Sequence, residues 1–168
     1  MSSIRLVIGL GNPGVTYRNT YHNAGIQFAE YAASLENKKL LGERTVLSST
    51  VYMNESGTFV ARAMRKLGVK PEELLIAHDD SDLALGSTKI SFGRGAAGHH
   101  GVESVIASLK TTAFTRLRIG IRPSNEKLRT KAGDFVLRKI NPAAKHLLVE
   151  SFRKALLTIR GTSDGTSA

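Results

Sequence analysis

The chain of 168 residues contains no cysteine. That excludes a disulfide framework, a thiolate metal ligand and a cysteine nucleophile, so any chemistry must come from other groups. It has no apolar run near the roughly 20 residues that a membrane-spanning helix needs, so no membrane segment is expected. The first apolar stretch, Ile4–Leu10, begins almost at the first residue and runs into Gly11-Asn12-Pro13-Gly14. It reads as a core strand and its turn rather than the apolar region of a signal peptide, so no targeting sequence is expected. Internal repeats and interdomain linkers are also missing. Acidic residues are scarce, with 14 Asp and Glu against 24 Lys and Arg and a formal charge of +10. Such an excess favours an anionic partner such as nucleic acid or a membrane surface, and charge alone does not choose between them.

What is present is the composition of a globular protein, 41% hydrophobic and 23% charged, at a length that fits one compact domain. Ile4–Leu10 predicts a buried strand, and Ala24–Leu35 a helix with Phe28, Ala32 and Leu35 on one face. Thr45–Tyr52 is β-branched and aromatic enough for a second strand. A helix with the stripe Val60, Met64 and Leu67 follows, ended by Gly68 and Pro71. Leu74–Ala77 is a short apolar run, Thr88–Phe92 alternates, Val102–Leu109 is helical in period, and Arg116–Ile121 alternates charged and apolar residues. The last long element, about Ala143–Ile159, carries Leu148, Phe152, Ala155, Leu156 and Ile159 at helical spacing. The expected fold class is α/β: a single domain with a mixed, mostly parallel sheet flanked by helices on both faces. It occupies residues 1–160, and residues 161–168 form a short polar tail. Ligands of such sheets gather at loops beyond the carboxyl ends of the strands.

Two glycine runs fit the dinucleotide-binding expression. Gly9-Leu10-Gly11-Asn12-Pro13-Gly14 follows a strand, with Glu36 further on. A Rossmann loop opens straight into a helix that holds pyrophosphate, whereas here Pro13, Tyr17 and Asn19 intervene before helical periodicity starts near Asn23. No nucleotide cofactor is expected. Gly93-Arg94-Gly95-Ala96-Ala97-Gly98 does lead into a helix; an anion site strengthened by Arg94 and a turn chosen for backbone geometry are both open readings.

Three segments carry polar residues out of keeping with plain turns: Asn12 with His22 and Asn23, Met53–Gly57, and His78–Asp82. Each is read as a loop after a strand. Through Gly9–Gly14, Tyr21-His22-Asn23-Ala24-Gly25, the Met53–Gly57 block and His78-Asp79 with Asp82-Leu83, the sequence resembles the bacterial-type peptidyl-tRNA hydrolases. Gly98-His99-His100-Gly101, Arg116–Ile121 and Asp134-Phe135-Val136-Leu137 continue the similarity, in the family's order and over almost the whole chain. The resemblance implies an esterase that frees the peptide from peptidyl-tRNA. In it His22 matches the catalytic histidine and Asp79 the acid that orients it. Asn12 matches the residue that tells a blocked from a free amino group, and Asn54 a substrate-binding amide. Tyr17 and Tyr52 match positions of tRNA contact, and His99 a second histidine above the cleft. His100, beside it, stands where the family usually has a substrate-contacting asparagine.

The chemistry of these groups agrees with such roles. Imidazole, with an unperturbed pKa of about 6.5, suits a general base near neutrality. A carboxylate on its other nitrogen would fix the tautomer and stabilise the imidazolium, and amides can support an oxyanion without titrating. The bland alternatives are a surface histidine, a solvated acidic turn at Asp79–Asp82, helix caps or Asx turns at Asn12 and Asn54, and core filler at Met53. No metal is expected, because His78-Asp79 and His99-His100 point successive side chains in different directions.

From Arg116 to Lys145 there are nine Lys or Arg against Glu126 and Asp134. A solvated face is the usual meaning of such a run. With tRNA implied nearby, Arg118, Lys127, Arg129, Lys131, Arg138 and Lys139 are expected phosphate contacts, with Lys89 and Arg94 near the glycine loop. The chain departs from the family in Arg94 and two alanines in that loop, in lacking the usual proline pair in the Asp80–Gly86 motif after His78-Asp79, and in a Glu36–Thr45 segment too short for an extra hairpin. Those departures motivate a rival, a non-catalytic RNA-binding protein on the same fold. A monomer in the cytoplasm is expected, or in a mitochondrion had a presequence been removed.

Overall fold

The strands assemble where β-branched and aliphatic residues run between turn signals. In the computed structural model, which describes residues 2–124 and 132–162, they form β1 (Leu6–Gly9), β2 (Thr45–Ser48), β3 (Leu74–Ala84), β4 (Thr88–Phe92) and β5 (Thr115–Arg122). Their order across the sheet is β2-β1-β3-β5-β4. Neighbours are parallel except at β4, which runs antiparallel to β5 along one edge. Helices α1 (Ala24–Ala33), α2 (Lys38–Leu41), α3 (Ser56–Leu67), α4 (His100–Leu109), α5 (Ala132–Phe135) and α6 (Pro142–Gly161) connect or cover them. The sheet is the mixed, mostly parallel one expected, in a single domain.

Alternation along the strands divides the core. Val7, Leu75, Ala77, Leu117 and Ile119 meet Phe28 and Ala32 of α1 and Leu148, Phe152, Ala155, Leu156 and Ile159 of α6 on one face. Leu6, Ile8, Leu74 and Ile76 meet Val60 and Met64 of α3 and Val102 and Val105 of α4 on the other. With both faces covered, the central strands carry apolar residues at successive positions, as parallel sheets do. Phe28 and Phe152 meet edge-on with centroids 5.7 Å apart, locking α1 to α6. Helix α6 starts as its sequence dictates: the Asn141 side chain accepts from the Ala144 N–H, and Pro142 occupies the first turn. Gly68 ends α3 in the left-handed region, at φ 62°.

Three local expectations are corrected. Leu35 is exposed rather than on the core face, because α1 ends at Ala33 and Ser34 turns extended. The second strand stops at Ser48, since the chain tightens into a 3₁₀ turn at Met53–Glu55. His78–Asp82 is not a loop: β3 runs on to Ala84, paired with β5 through Asp80 and Gly120 and irregular only between Asp80 and Ala84. The polar tail beyond Thr162 lies outside the described residues.

Candidate active site

His22 sits in the short 3₁₀ turn Tyr21–Asn23 that leads into α1. Its backbone N–H donates to the Val136 carbonyl (2.8 Å), and the Tyr21 ring stacks on Phe135 with centroids 4.6 Å apart. The turn is drawn tight against the sheet because residue 25 is glycine: a Cβ there would run into the Ala77 carbonyl, with the Leu10 carbonyl oxygen only 2.6 Å away. That packing puts His22 over the middle of β3, where Asp79 projects.

Asp79 Oδ1 lies 2.9 Å from His22 Nδ1 and 2.9 Å from His99 Nε2. The carboxyl is almost fully buried. Burial alone would raise its pKa, but the electrostatic attraction of the His99 ring, hydrogen bonds from His22 and His99, and the attraction of the His22 ring outweigh it and hold it well below the usual carboxylate range. As a carboxylate it can only accept, so His22 Nδ1 and His99 Nε2 carry the protons. The other nitrogen of His99 accepts from the Val102 N–H at 3.2 Å, capping α4. The other nitrogen of His22, Nε2, keeps a lone pair and has no hydrogen bond to another described residue.

These groups line a cleft of about 400 Å³ with His78, Asp80, Ser81, Asp82, His100 and Val136, roofed by Ala96, Ala97 and Gly98 of the glycine loop. The loop's shape follows from Gly93, Ala97 and Gly98, all at positive φ, which favours the backbone-geometry reading of its glycines. Sequence spacing gave no metal cluster, yet folding brings ligand-type atoms of His22, Asp79 and His99 within 4.8 Å of one another. Here the two ring nitrogens that face Asp79 lie at hydrogen-bonding distance from its carboxylate.

Asn12, Tyr17, Tyr52 and Asn54 do not line that cleft and gather beside it. Asn12 Oδ1 accepts from the Met53 N–H (2.8 Å), while its backbone exchanges hydrogen bonds with the buried Asn23 side chain (2.8 and 2.9 Å). Its NH₂ is the part left to donate outward. Tyr17 and Tyr52 meet edge-on, with centroids 6.3 Å apart. Asn54 is exposed, its carbonyl held by Ser104 Oγ (2.9 Å). Met53 is buried in the core, the bland reading given it above. His100 is exposed at the cleft rim, with Nδ1 3.2 Å from Glu103 Oε2.

The sequence model of the peptidyl-tRNA hydrolase family matches residues 6–165. The chain belongs to that family. A peptidyl-tRNA hydrolase of Mycoplasma pneumoniae is 34% identical, over 99% of this chain and 95% of its own length. One from Moorella thermoacetica is 36% identical, over 97% and 95%. The crystal structure of the Acinetobacter baumannii peptidyl-tRNA hydrolase superposes with a TM-score of 0.79 at 34% identity, covering 95% of this chain and 88% of that one. Family and fold together support hydrolysis of peptidyl-tRNA as the activity and give no support to a non-catalytic RNA binder. The relatives named are bacterial, which leaves the mitochondrial alternative without support, and none of the described helices is long and apolar enough to cross a membrane.

The basic residues divide. Lys89 and Arg118 are directly opposite across β4 and β5, so their side chains share one face. Arg118 Nε–H donates to Asp80 Oδ2 at 2.6 Å. Lys139 Nζ donates to the Thr16 carbonyl (2.8 Å), Arg138 lies 6.0 Å from the centre of the Phe135 ring, and Arg94 is exposed. Lys127, Arg129 and Lys131 lie outside the described residues. Sequence reasoning gave no role to Asn23, which clamps the Asn12 loop, or to His78 and Arg116, buried behind Asp79. Asn23 adjoins His22 in the motif and could have been suspected; Arg116 looked like one charge among several in an alternating strand.

Proposed function

We propose that His22 is the general base of peptidyl-tRNA hydrolysis and Asp79 its orienting carboxylate. The observation that carries this is the 2.9 Å contact between His22 Nδ1 and a buried carboxylate, which leaves the Nε2 lone pair available in the cleft. Nε2 takes a proton from water as its oxygen attacks the ester carbonyl carbon. The tetrahedral intermediate then collapses, and the terminal ribose oxygen of tRNA leaves with the proton held by the imidazolium. Asp79 stabilises that imidazolium and fixes the ring.

The Asn12 NH₂, oriented because Oδ1 of the same amide accepts from the Met53 N–H, meets a carbonyl of the peptide or the developing oxyanion, and Asn54 adds a second amide. Tyr17 and Tyr52 offer aromatic faces to the unpaired end of tRNA, and His99 and His100 bound the substrate pocket. Lys89, Arg94, Arg118, Arg138 and Lys139 meet backbone phosphates, reading shape and charge rather than base sequence. All these groups come from one chain, so the reading needs neither a second copy nor a metal ion, and it places the enzyme in the cytoplasm, where its substrate arises.

The test is hydrolysis of N-acetyl-aminoacyl-tRNA by the wild type and by His22→Ala. Losing the base should cost about 10²–10⁴ in rate. Equal rates would move the base elsewhere.

A further inference from the structure

Arg116 is buried, only 3% exposed, and among the described residues no carboxylate pairs with it. The nearby carboxylate, Asp80, is taken by Arg118. Removing a guanidinium from water without a counter-charge is costly, so the contacts it makes instead matter. Nη2–H donates to the Gly95 carbonyl at 2.7 Å, and Nη1–H points to His78 Nε2 at 3.4 Å.

Arginine can only donate, so His78 Nε2 must be the acceptor and its proton must sit on Nδ1. Nδ1–H then donates to the backbone carbonyl of Asp79 at 2.7 Å. The His78 ring, itself 2% exposed, packs edge-on against His99 with centroids 4.6 Å apart. One buried cation thus reaches both supports of the catalytic carboxylate: the peptide group of Asp79, through His78, and the glycine loop that leads to His99, through Gly95.

We propose that Arg116, acting through His78, is a positioning residue for hydrolysis. It pins the His78 tautomer so that the Asp79 peptide is held and its carboxylate stays aimed at His22. This rests on the assignment of His22 and Asp79 given above. Neither Arg116 nor His78 exchanges protons with substrate; their effect is on the geometry of Asp79.

The test compares His78→Phe, His78→Asn and Arg116→Met for kcat, KM and the pH dependence of kcat. Asparagine can donate from nearly the position of Nδ1, whereas phenylalanine cannot. His78→Phe and Arg116→Met should lower kcat on the order of 10- to 100-fold with little change in KM, as misplacement of a catalytic group does. They should also move the acidic limb of the profile to lower pH, because a misdirected carboxylate no longer stabilises the imidazolium. The charged and titratable groups facing His22 are Asp79 and His99, with His78 behind them, and none is removed by Arg116→Met. His78→Asn should recover most of kcat and the position of the limb.

The proposal is overturned if Arg116→Met and His78→Phe lower only the melting temperature, or if His78→Asn is as impaired as His78→Phe. Should Arg116→Met not fold, the two His78 variants still decide. His22→Ala, run alongside, separates the two failures. If it stays active, the assignment of the base falls; if it is inactive while the limb of His78→Phe does not move, only the relay falls.

Discussion

The backbone N–H of Val102 donates to Nδ1 of His99 over 3.2 Å, which places the proton of that ring on Nε2, where it faces Asp79. A ring held at both nitrogens has no lone pair to offer water, so in the proposed mechanism His99 is expected to support the carboxylate rather than act as a second base. His99→Ala should lower hydrolysis roughly tenfold, the worth of one hydrogen bond of about 1.4 kcal/mol, far less than loss of His22. It should also cost about 1 kcal/mol of stability, through the lost helix cap. Single-turnover hydrolysis and a thermal melt check both. Inactivity equal to that of His22→Ala would contradict this division of roles.

Asp79→Asn keeps the size of the side chain but removes the negative charge, leaving a neutral amide oxygen for two N–H donors. Hydrolysis should fall by about 10²–10⁴, as when a general base is lost. Stability should change with pH as well. The Asp79 carboxyl is held below its ordinary value of 3.8 in the folded state, so its contribution is complete above that value and disappears as pH falls below it. Urea midpoints should therefore fall less steeply in the variant than in the wild type on acidification below about pH 4. Parallel curves would show that folding does not lower the pKa of Asp79.

His78 has the opposite chemistry and the same sign. Burial first, then the electrostatic influence of the neighbouring His99 ring, pushes its imidazole well below the ordinary value of 6.5, with Asp79 opposing. An unfolded chain takes up a proton on this ring near that value and the folded one does not, so stability drops as pH falls below it, at up to about 1.4 kcal/mol per pH unit. His78→Asn has no titrating ring, and its stability should decline less between roughly pH 6.5 and pH 5. An unchanged slope would mean that His78 is charged in the native protein.

Much of this arrangement was legible in the sequence because strand and helix periods are local. The stripe Val60, Met64 and Leu67 predicted α3, and the spacing from Leu148 to Ile159 predicted α6. Pairing is not local. Asp79 and Asp80 read as a loop because acidic residues rarely sit in strands, yet partners on β5 carry β3 past them. Arg116 and Arg118 alternate with apolar residues along β5, and only Arg118 was expected at phosphates; in a sheet covered on both sides Arg116 is buried behind His78 and Arg118 meets Asp80 nearer solvent. The pairing of His22 with Asp79 was reached through family resemblance and elementary acid–base chemistry. The capping of α4 by His99 could not be read, since it depends on which ring nitrogen meets the Val102 N–H.

Lys89 and Arg118 stand opposite one another on β4 and β5, but only Lys89 is exposed and without an ion pair among the described residues. If this face meets tRNA phosphates, the two should respond differently. Lys89→Ala removes one releasable counterion, so the slope of log K against log salt should become shallower by about 0.7–0.9, with weaker binding of every tRNA alike. Asp80→Asn removes the carboxylate that holds Arg118 at 2.6 Å. A phosphate no longer competes with that anion for the guanidinium, so tRNA should bind more tightly and with a steeper salt slope than in the wild type. Both are read from dissociation constants measured across a salt series with an inactive His22→Ala background, so that substrate is not consumed. An unaltered slope in Lys89→Ala would remove this face of the sheet from the tRNA interface, whatever Asp80→Asn does.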